Sequence, residues 1–362
     1  MNTPDPLFQP FTAGDLPLAN RIVMAPMTRS RADDAGNVGD LTATYYAQRA
    51  GAGLIVTEGI FPELMGKGYV RTPGLVSRQH VAAWRRVTDA VHARGGKIVA
   101  QLMHVGRISH ESLLPGNAVP VAPSAVRSPG QVYTDEGMKP HAQPRALARE
   151  EVHAITRSFA DAAQRAIDAG FDGVQLHAGN GYLGMQFLSP NTNLRSDEYG
   201  GNAENRARFV VETLEAIAAR VGAGRTSLKV TPGTAFNDMH DPSPVDTYGT
   251  LLRRIAHLPL AFIDVSPADA QLGAAEYHAL LRPLWKGAYF SGGGLVQESA
   301  RELVASGVID AAIFGGAFIA NPDLPERFRR GLPLATPDTA TFYAGGAQGY
   351  IDYPALEPGK AA

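Results

Sequence analysis

Short apolar runs alternate with amphipathic stretches along almost the whole of the 362-residue chain. The runs at 21–25 (RIVMA), 54–57 (LIVT), 98–102 (IVAQL), 173–176 (GVQL), 226–230 (TSLKV), 261–265, 287–291 and 311–314 have strand length and composition, and they predict eight strands. Between them the apolar positions recur at helical spacing. Val81, Trp84, Val87 and Val91 share one face over 80–94, closed by Gly95, and Val152, Ile155, Phe159, Ala163 and Ile167 share one over 151–169, closed by Gly170. Further helices are predicted at 42–50, 204–221, 245–257, 276–281, 297–305 and 321–330. Strict alternation of eight strand–helix units predicts an α/β fold, a single-domain (β/α)8 TIM barrel spanning residues 1–362. Residues 8–20, with Gly14-Asp15 between apolar flanks, predict an N-terminal hairpin that closes the barrel's bottom. The Gly/Pro-rich stretch 104–149, after strand three, is too long for an ordinary connection and predicts a lid or small subdomain over the mouth.

Composition narrows the function classes. A hydrophobic content of 44% is ample for a large core, and a formal net charge of −2 leaves no footprint for nucleic acid or an anionic membrane. The absence of cysteine excludes disulfides, thiolate metal sites, iron–sulfur clusters and cysteine nucleophiles. The start MNTPDPLFQPF lacks a basic segment followed by an apolar one, and no run reaches membrane-spanning length. The expectation is a cytoplasmic protein whose partner is a small molecule, assembled as a monomer or small homo-oligomer.

Candidate chemistry gathers where a barrel keeps it, just past the C-terminal ends of strands. The run 171–201 (FDGVQLHAGNGYLGMQFLSPNTNLRSDEYGG) ends a strand at His177 and then presents Asn180 and Tyr182 from a loop. His177 and Asn180 can donate hydrogen bonds toward one point and Tyr182 adds a phenolic proton, which suits a substrate oxygen that gains negative charge beside a carbon that needs a proton. The same trio also reads as a structural histidine with two loop residues. Strand one leads into Pro26, Met27 and Thr28, strand two into Glu58 and Gly59, strand three into Gln101 and His104, and strand five into Lys229. Strands seven and eight lead into Gly-rich turns, Gly292-Gly293-Gly294 and Gly315-Gly316, at a barrel's usual phosphate position. A phosphate there, with polar groups from strands one to five around the mouth, fits a large flat phosphorylated cofactor. Gln101 carries the donor and acceptor that a flavin's pyrimidine edge requires, Lys229 a positive charge for its N1/C2 region, and Thr28 a donor for the O4 side. Taken alone, Lys229 reads more readily as an exposed lysine at a strand end. His104 and His110 lack a carboxylate in ligand spacing and His240-Asp241 sits in a polar loop, so no metal site is expected.

The segments NRIVMAPMTRSRA, YYAQRAGAGLIVTEG, GYVRTPG, VHARGGKIVAQLMHVGRISH, VPVAPSAV, LHAGNGYLGMQFLSPNTNLRSDEYGGNAENRARF, FIANPDLPERF and TFYAGGAQGYIDYP, spread over residues 8–354, resemble the old yellow enzyme family. Its members of the N-ethylmaleimide reductase and pentaerythritol tetranitrate reductase type are FMN-dependent ene reductases. The resemblance implies FMN as cofactor and NADPH or NADH as reductant, with an electrophilic alkene or nitro compound as substrate. It implies Pro26, Met27, Thr28, Gly59, Gln101, His177 and Lys229 around the isoalloxazine and ribityl chain. It puts Gly292, Gly293, Gly315 and Gly316 at the phosphate and Phe342 against the flavin. Tyr69, Tyr182 and Tyr343 line the substrate side, with Met103 at the pocket floor. His177 and Asn180 then hold the substrate oxygen and Tyr182 protonates the α-carbon.

Three positions depart from the family's pattern. Gly316 stands where an arginine is usual, which removes a charge-assisted phosphate contact. Lys229 also replaces an arginine, keeping the charge and losing the planar fork. Met103 replaces a tryptophan, putting a flexible thioether where a rigid indole would stand. A flavin-free lyase or aldolase working through a Lys229 Schiff base, or a non-catalytic binding barrel, are the competing expectations.

Overall fold

The structure is a computed structural model that describes residues 4–269 and 272–356. Eight strands close into one all-parallel barrel: β1 (Ile22–Met24), β2 (Leu54–Ile60), β3 (Ile98–Leu102), β4 (Gly173–His177), β5 (Thr226–Val230), β6 (Phe262–Val265), β7 (Tyr289–Ser291) and β8 (Ala311–Phe314). Each pairs with its sequence neighbours, and β8 returns to β1 with Ile313 beside Val23. The alternation of a strand sorts the side chains. Val174 and Leu176 of β4 and Leu228 and Val230 of β5 face outward into the core shared with the helices. Val99, Gln101 and Met103, Gln175 and His177, Ser227 and Lys229, and Phe262 and Asp264 take the other parity and face inward. The inward positions turn polar toward the C-terminal ends, so the lower barrel is a packed plug and the upper barrel a polar floor.

The plug is built as the hairpin pattern predicts. Strands Phe11–Ala13 and Leu16–Leu18 pair antiparallel about Gly14-Asp15, and Ala13, Leu16 and Leu18 cluster with Val23, Leu54, Val56, Val99, Phe262, Phe290 and Ile313. Outside, helix Arg78–His92 starts at Ser77, whose hydroxyl accepts the His80 N–H at 3.2 Å, and buries Trp84, Val87 and Val91. Helix Arg149–Asp168 buries Val152, Ile155, Phe159 and Ala163, and Gly170 with φ +90° turns the chain into β4. The helix predicted over 321–330 is found at Leu324–Arg330, and a short helix at Gly316–Ala320, which the pattern does not predict, precedes it. Asn321 sits between them, its side-chain amide taken up by the carbonyls of Ala317 and Ala335.

The excursion over residues 104–149 forms its own small sheets, a hairpin of Gln131–Thr134 with Gly137–Pro140 and a parallel pair of Val121–Ala122 with Arg145–Ala146. Val132 and Leu113 of this excursion pack with Val70, against Tyr69, and Arg71 pairs with Asp135 at 3.2 Å. Among the described residues no helix is long and apolar enough to cross a membrane.

Candidate active site

His177 is the last residue of β4, buried and beside Lys229 in the register with β5. The Gly179 N–H donates to its Nδ1 at 3.2 Å. An Nδ1 that accepts leaves the proton of a neutral imidazole on Nε2. Burial, and then the charge of Lys229, lower the His177 pKa to about 3, so the ring is neutral and presents Nε2–H as a donor. Asn180 follows in the left-handed region with φ +52°, a conformation asparagine tolerates better than most residues. Its backbone is held from both sides, its N–H donating to Thr231 Oγ1 at 2.7 Å and its carbonyl accepting from Asn237 Nδ2 at 2.8 Å. Tyr182 caps the short helix Leu183–Leu188. Its ring meets the His177 ring edge-on, centroids 5.3 Å apart, and its phenolic oxygen lies 2.9 Å from that of Tyr69. Burial raises the Tyr182 phenol well above the ordinary range, with the neighbouring Tyr69 adding to it, so Tyr182 keeps its proton. Gln186, from the same helix, donates to the carbonyls of Val105 and Gly181 and accepts the Arg107 N–H, which ties the loop after β3 to the Asn180–Tyr182 turn.

The remaining candidates form two groups around this trio. Met103 packs with Tyr182, Val105 and Ile108, against half-buried Tyr69. A Cβ at Gly59 would meet the Met103 thioether at 2.5–2.7 Å, so any larger residue there would oblige the flexible end of Met103 to move. A register shift in β2 between Val56 and Gly59 places Gly59 beside Gln101, whose N–H donates to Thr57 Oγ1. On the other side, Lys229, Asn180, Pro26, Gly292, Gly293, Gly294, Gly315 and Gly316 line one cavity of about 510 Å³. Met27 approaches Gly315, and residues 25–28 form a half-buried run between buried flanks. Phe342 is half-buried, and Tyr343 is 62% exposed yet near enough to act on the phenols of both Tyr69 and Tyr182. A larger cavity of about 1140 Å³, lined by His240, Asp241, Tyr248 and Tyr277, contains none of the candidate site residues.

Two expectations change in detail. Lys229 is no exposed strand-end lysine: it is 9% exposed and its ammonium pairs with buried Asp264 at 2.6 Å. Gly292 lines the cavity, but its N–H donates to Ser266 Oγ at 3.0 Å and is not left for a phosphate. For His104, the structure supplies a carboxylate that the local sequence lacks: Glu63, 3.3 Å from Nε2. With the Gly106 N–H on its Nδ1, His104 is a structural residue, and no cluster of metal-ligating side chains is found among the described residues.

Sequence reasoning missed several supporting residues. Gln175 accepts from Gln101 Nε2 at 2.8 Å, while its own Nε2 is buried without a partner. Arg29 and Arg31 both donate to the Phe342 carbonyl, at 3.0 and 2.8 Å, and fasten the C-terminal loop to the segment after β1. Glu58 stands after strand two as the sequence places it, but the sequence does not show that it is buried and accepts the Arg29 N–H at 3.2 Å. A lone polar residue inside an apolar strand, as in GVQLH and FIDV, was the available signal for Gln175 and Asp264.

A phosphorylated isoalloxazine fits this donor set. Polar groups of Gln101, Gln175 and Lys229 floor the mouth. The flanking turns hold Gly293 and Gly294 at φ +97° and +83°, and no atom lies within 4 Å of a Cβ placed at Gly316. Comparison with known proteins agrees. Residues 6–335 match the profile of the NADH:flavin oxidoreductase / NADH oxidase family. The chain is 39% identical to a probable flavin mononucleotide-dependent alkene reductase of Leishmania infantum, covering 97% of each protein. It is 37% identical to 12-oxophytodienoate reductase 1 of Oryza sativa subsp. japonica, covering 97% of this chain and 93% of that one. Among solved structures, morphinone reductase superposes with a TM-score of 0.94 at 40% identity over 100% of both chains. The old yellow enzyme homologue from Zymomonas mobilis gives 0.93 at 38% identity over 97% of this chain and 99% of that one.

Proposed function

The chain belongs to the NADH:flavin oxidoreductase / NADH oxidase family, in its old yellow enzyme branch, and from that premise we propose which residues carry its reaction and on what substrates. It is an FMN-dependent ene reductase that takes reducing equivalents from a nicotinamide nucleotide. Bound FMN supplies hydride chemistry, received from NAD(P)H and delivered to an activated double bond. The substrates we infer are α,β-unsaturated carbonyl compounds, maleimides and nitroalkenes, with nitrate esters as a further group sharing the same kind of oxygen.

The chain's own residues divide the work. Gln101, with Nε2 engaged by Gln175, offers Oε1 to the flavin's pyrimidine edge, and Thr28 and Lys229 serve its carbonyl oxygens. The turns at Gly293 and Gly315-Gly316 receive the phosphate through backbone N–H groups, Gly292 supporting them from within, while Pro26, Met27, Gly59 and Phe342 pack the ring system. His177 Nε2–H and the Asn180 amide bind the substrate's carbonyl or nitro oxygen and stabilise the charge that develops there. Tyr182 donates its proton to the α-carbon. Tyr69, Met103 and Tyr343 shape the substrate side, and the excursion over 104–149 covers it.

The observation that supports this reading most is the state of His177, a buried neutral imidazole whose Nδ1 is taken by the Gly179 N–H, which leaves Nε2–H as its donor beside a phenol that keeps its own proton. Steady-state turnover against paired substrates tests it. Enones, maleimides and nitroalkenes should be reduced while alkenes without an electron-withdrawing oxygen are not, and His177→Ala with Asn180→Ala should abolish the difference. Equal rates on both kinds of alkene would overturn the assignment.

A further inference from the structure

The inward residues at the ends of β5, β6 and β7 are joined by one buried carboxylate. Asp264 is completely buried and is the register partner of Lys229. Its Oδ2 accepts from Lys229 Nζ at 2.6 Å, and its Oδ1 accepts from Ser266 Oγ at 2.5 Å. Ser266 Oγ in turn accepts the Gly292 N–H at 3.0 Å. Lys229, Ser266 and Gly292 all line the same cavity. Lys229 is the one charged side chain among its lining residues, and its counter-charge lies directly behind it. A buried pair of this kind is far less screened than a surface pair, so the field the cavity feels is that of the pair and not of a free ammonium.

We propose that Asp264 is a positioning residue with two linked effects: it sets how much positive charge Lys229 presents to the bound flavin, and through Ser266 it holds the Gly292 turn in the shape that receives the phosphate. The proposal rests on the flavin reading above. Reduction adds electron density to the bound ring, so a cation beside it favours the reduced form and a carboxylate behind that cation opposes it. Asp264 thereby keeps the bound flavin a stronger reductant than Lys229 alone would allow. The hydrogen bonds from Lys229 through Asp264 and Ser266 to Gly292 place the isoalloxazine and phosphate ends of the site under one support.

Anaerobic redox titration and FMN titration of the same proteins separate the two effects. Asp264→Asn preserves the shape and an acceptor for Ser266 and removes the charge. At fixed poise its ratio of reduced to oxidised flavin should rise about tenfold, ~30 mV for a two-electron couple, with FMN affinity within about threefold of wild type. Asp264→Glu, which keeps the charge, should stay near the wild-type potential. Ser266→Ala should weaken FMN binding several-fold and leave the potential in place. An unchanged or lower potential in Asp264→Asn, or an equal rise in Asp264→Glu, overturns the charge role. Unchanged FMN affinity in Ser266→Ala overturns the role in the turn, and that arm stands whether or not Asp264→Asn folds. Failure of the wild-type chain itself to take up FMN is a different result, and it removes the flavin reading first.

Discussion

Tyr69 and Tyr182 place their phenolic oxygens 2.9 Å apart, within one cluster with Met103 and with the His177 ring at the edge of Tyr182. On the proposed assignment Tyr182 is the acid on the substrate side and Tyr69 holds it there. Tyr182→Phe should slow reduction of the alkene by 10²- to 10⁴-fold, the range of a positioned general acid, and leave bleaching of the flavin by NAD(P)H unchanged. Tyr69→Phe removes one neutral hydrogen bond, about 1 kcal/mol, and should slow the same half-reaction about fivefold. Rapid-mixing absorbance of each half-reaction checks both. Equal losses in the two half-reactions for Tyr182→Phe would contradict its assignment as acid.

His177 should not titrate near its ordinary value. Burial and the Lys229 charge hold it at about 3, so the imidazole stays neutral as pH falls through 6.5, whereas in the unfolded chain it gains a proton there. The native state then binds fewer protons than the unfolded one. This contribution to stability is fully present above pH 6.5 and is lost as pH falls toward 3. Histidine-resolved NMR should show the Nε2–H tautomer of His177 unchanged across pH 6.5.

Glu58 carries the opposite sign. Burial lifts its carboxyl from 4.5 to about 7 in spite of the Arg29 N–H and the guanidinium groups nearby. The folded protein keeps a proton there that the unfolded chain loses above pH 4.5. That contribution, on the order of 3 kcal/mol, is whole below pH 4.5 and lost as pH rises to about 7. Denaturant unfolding of Glu58→Gln against wild type should therefore show a difference that moves in the variant's favour between those limits and levels off above. A difference independent of pH would contradict the shift.

On the proposed placement of the phosphate, Gly316 stands where that end lacks a cation. With open space at its Cβ, Gly316→Arg should fold normally and add a charge-assisted contact of about 1.5–3 kcal/mol. FMN titration should find the dissociation constant lowered roughly ten- to a hundredfold. No change would mean that the phosphate lies elsewhere.

The eight strands were legible because a parallel barrel buries both faces of each strand, which leaves near-continuous apolar runs between turn residues. Their ends were less so. The strand predicted at 54–57 runs on to Ile60 because the shift between Val56 and Gly59 keeps it paired with β3, a feature with no local signature beyond the glycine. The strand-end residues His177, Asn180, Tyr182, Gln101 and Lys229 stood out by place and chemistry. Gln175 and Asp264 carried only the weaker signal of a polar residue in an apolar strand, and the register is what sets them beside Gln101 and Lys229. Arg29 and Arg31 reach carbonyls of the distant C-terminal loop, and contacts across such a separation leave no pattern in the intervening sequence.

On the proposed reading FMN lies across the barrel mouth, with His177 and Asn180 poised to grip a substrate's oxygen. Anaerobic double mixing of the FMN-reconstituted protein tests it most directly. NADPH or NADH should bleach the flavin's visible band, and an enone added next should restore it with one equivalent of saturated ketone formed. In His177→Ala with Asn180→Ala, the bleaching should persist and the recovery should fail. A wild-type chain that takes up no flavin, or a double variant that recovers its colour as fast as wild type, would contradict the account.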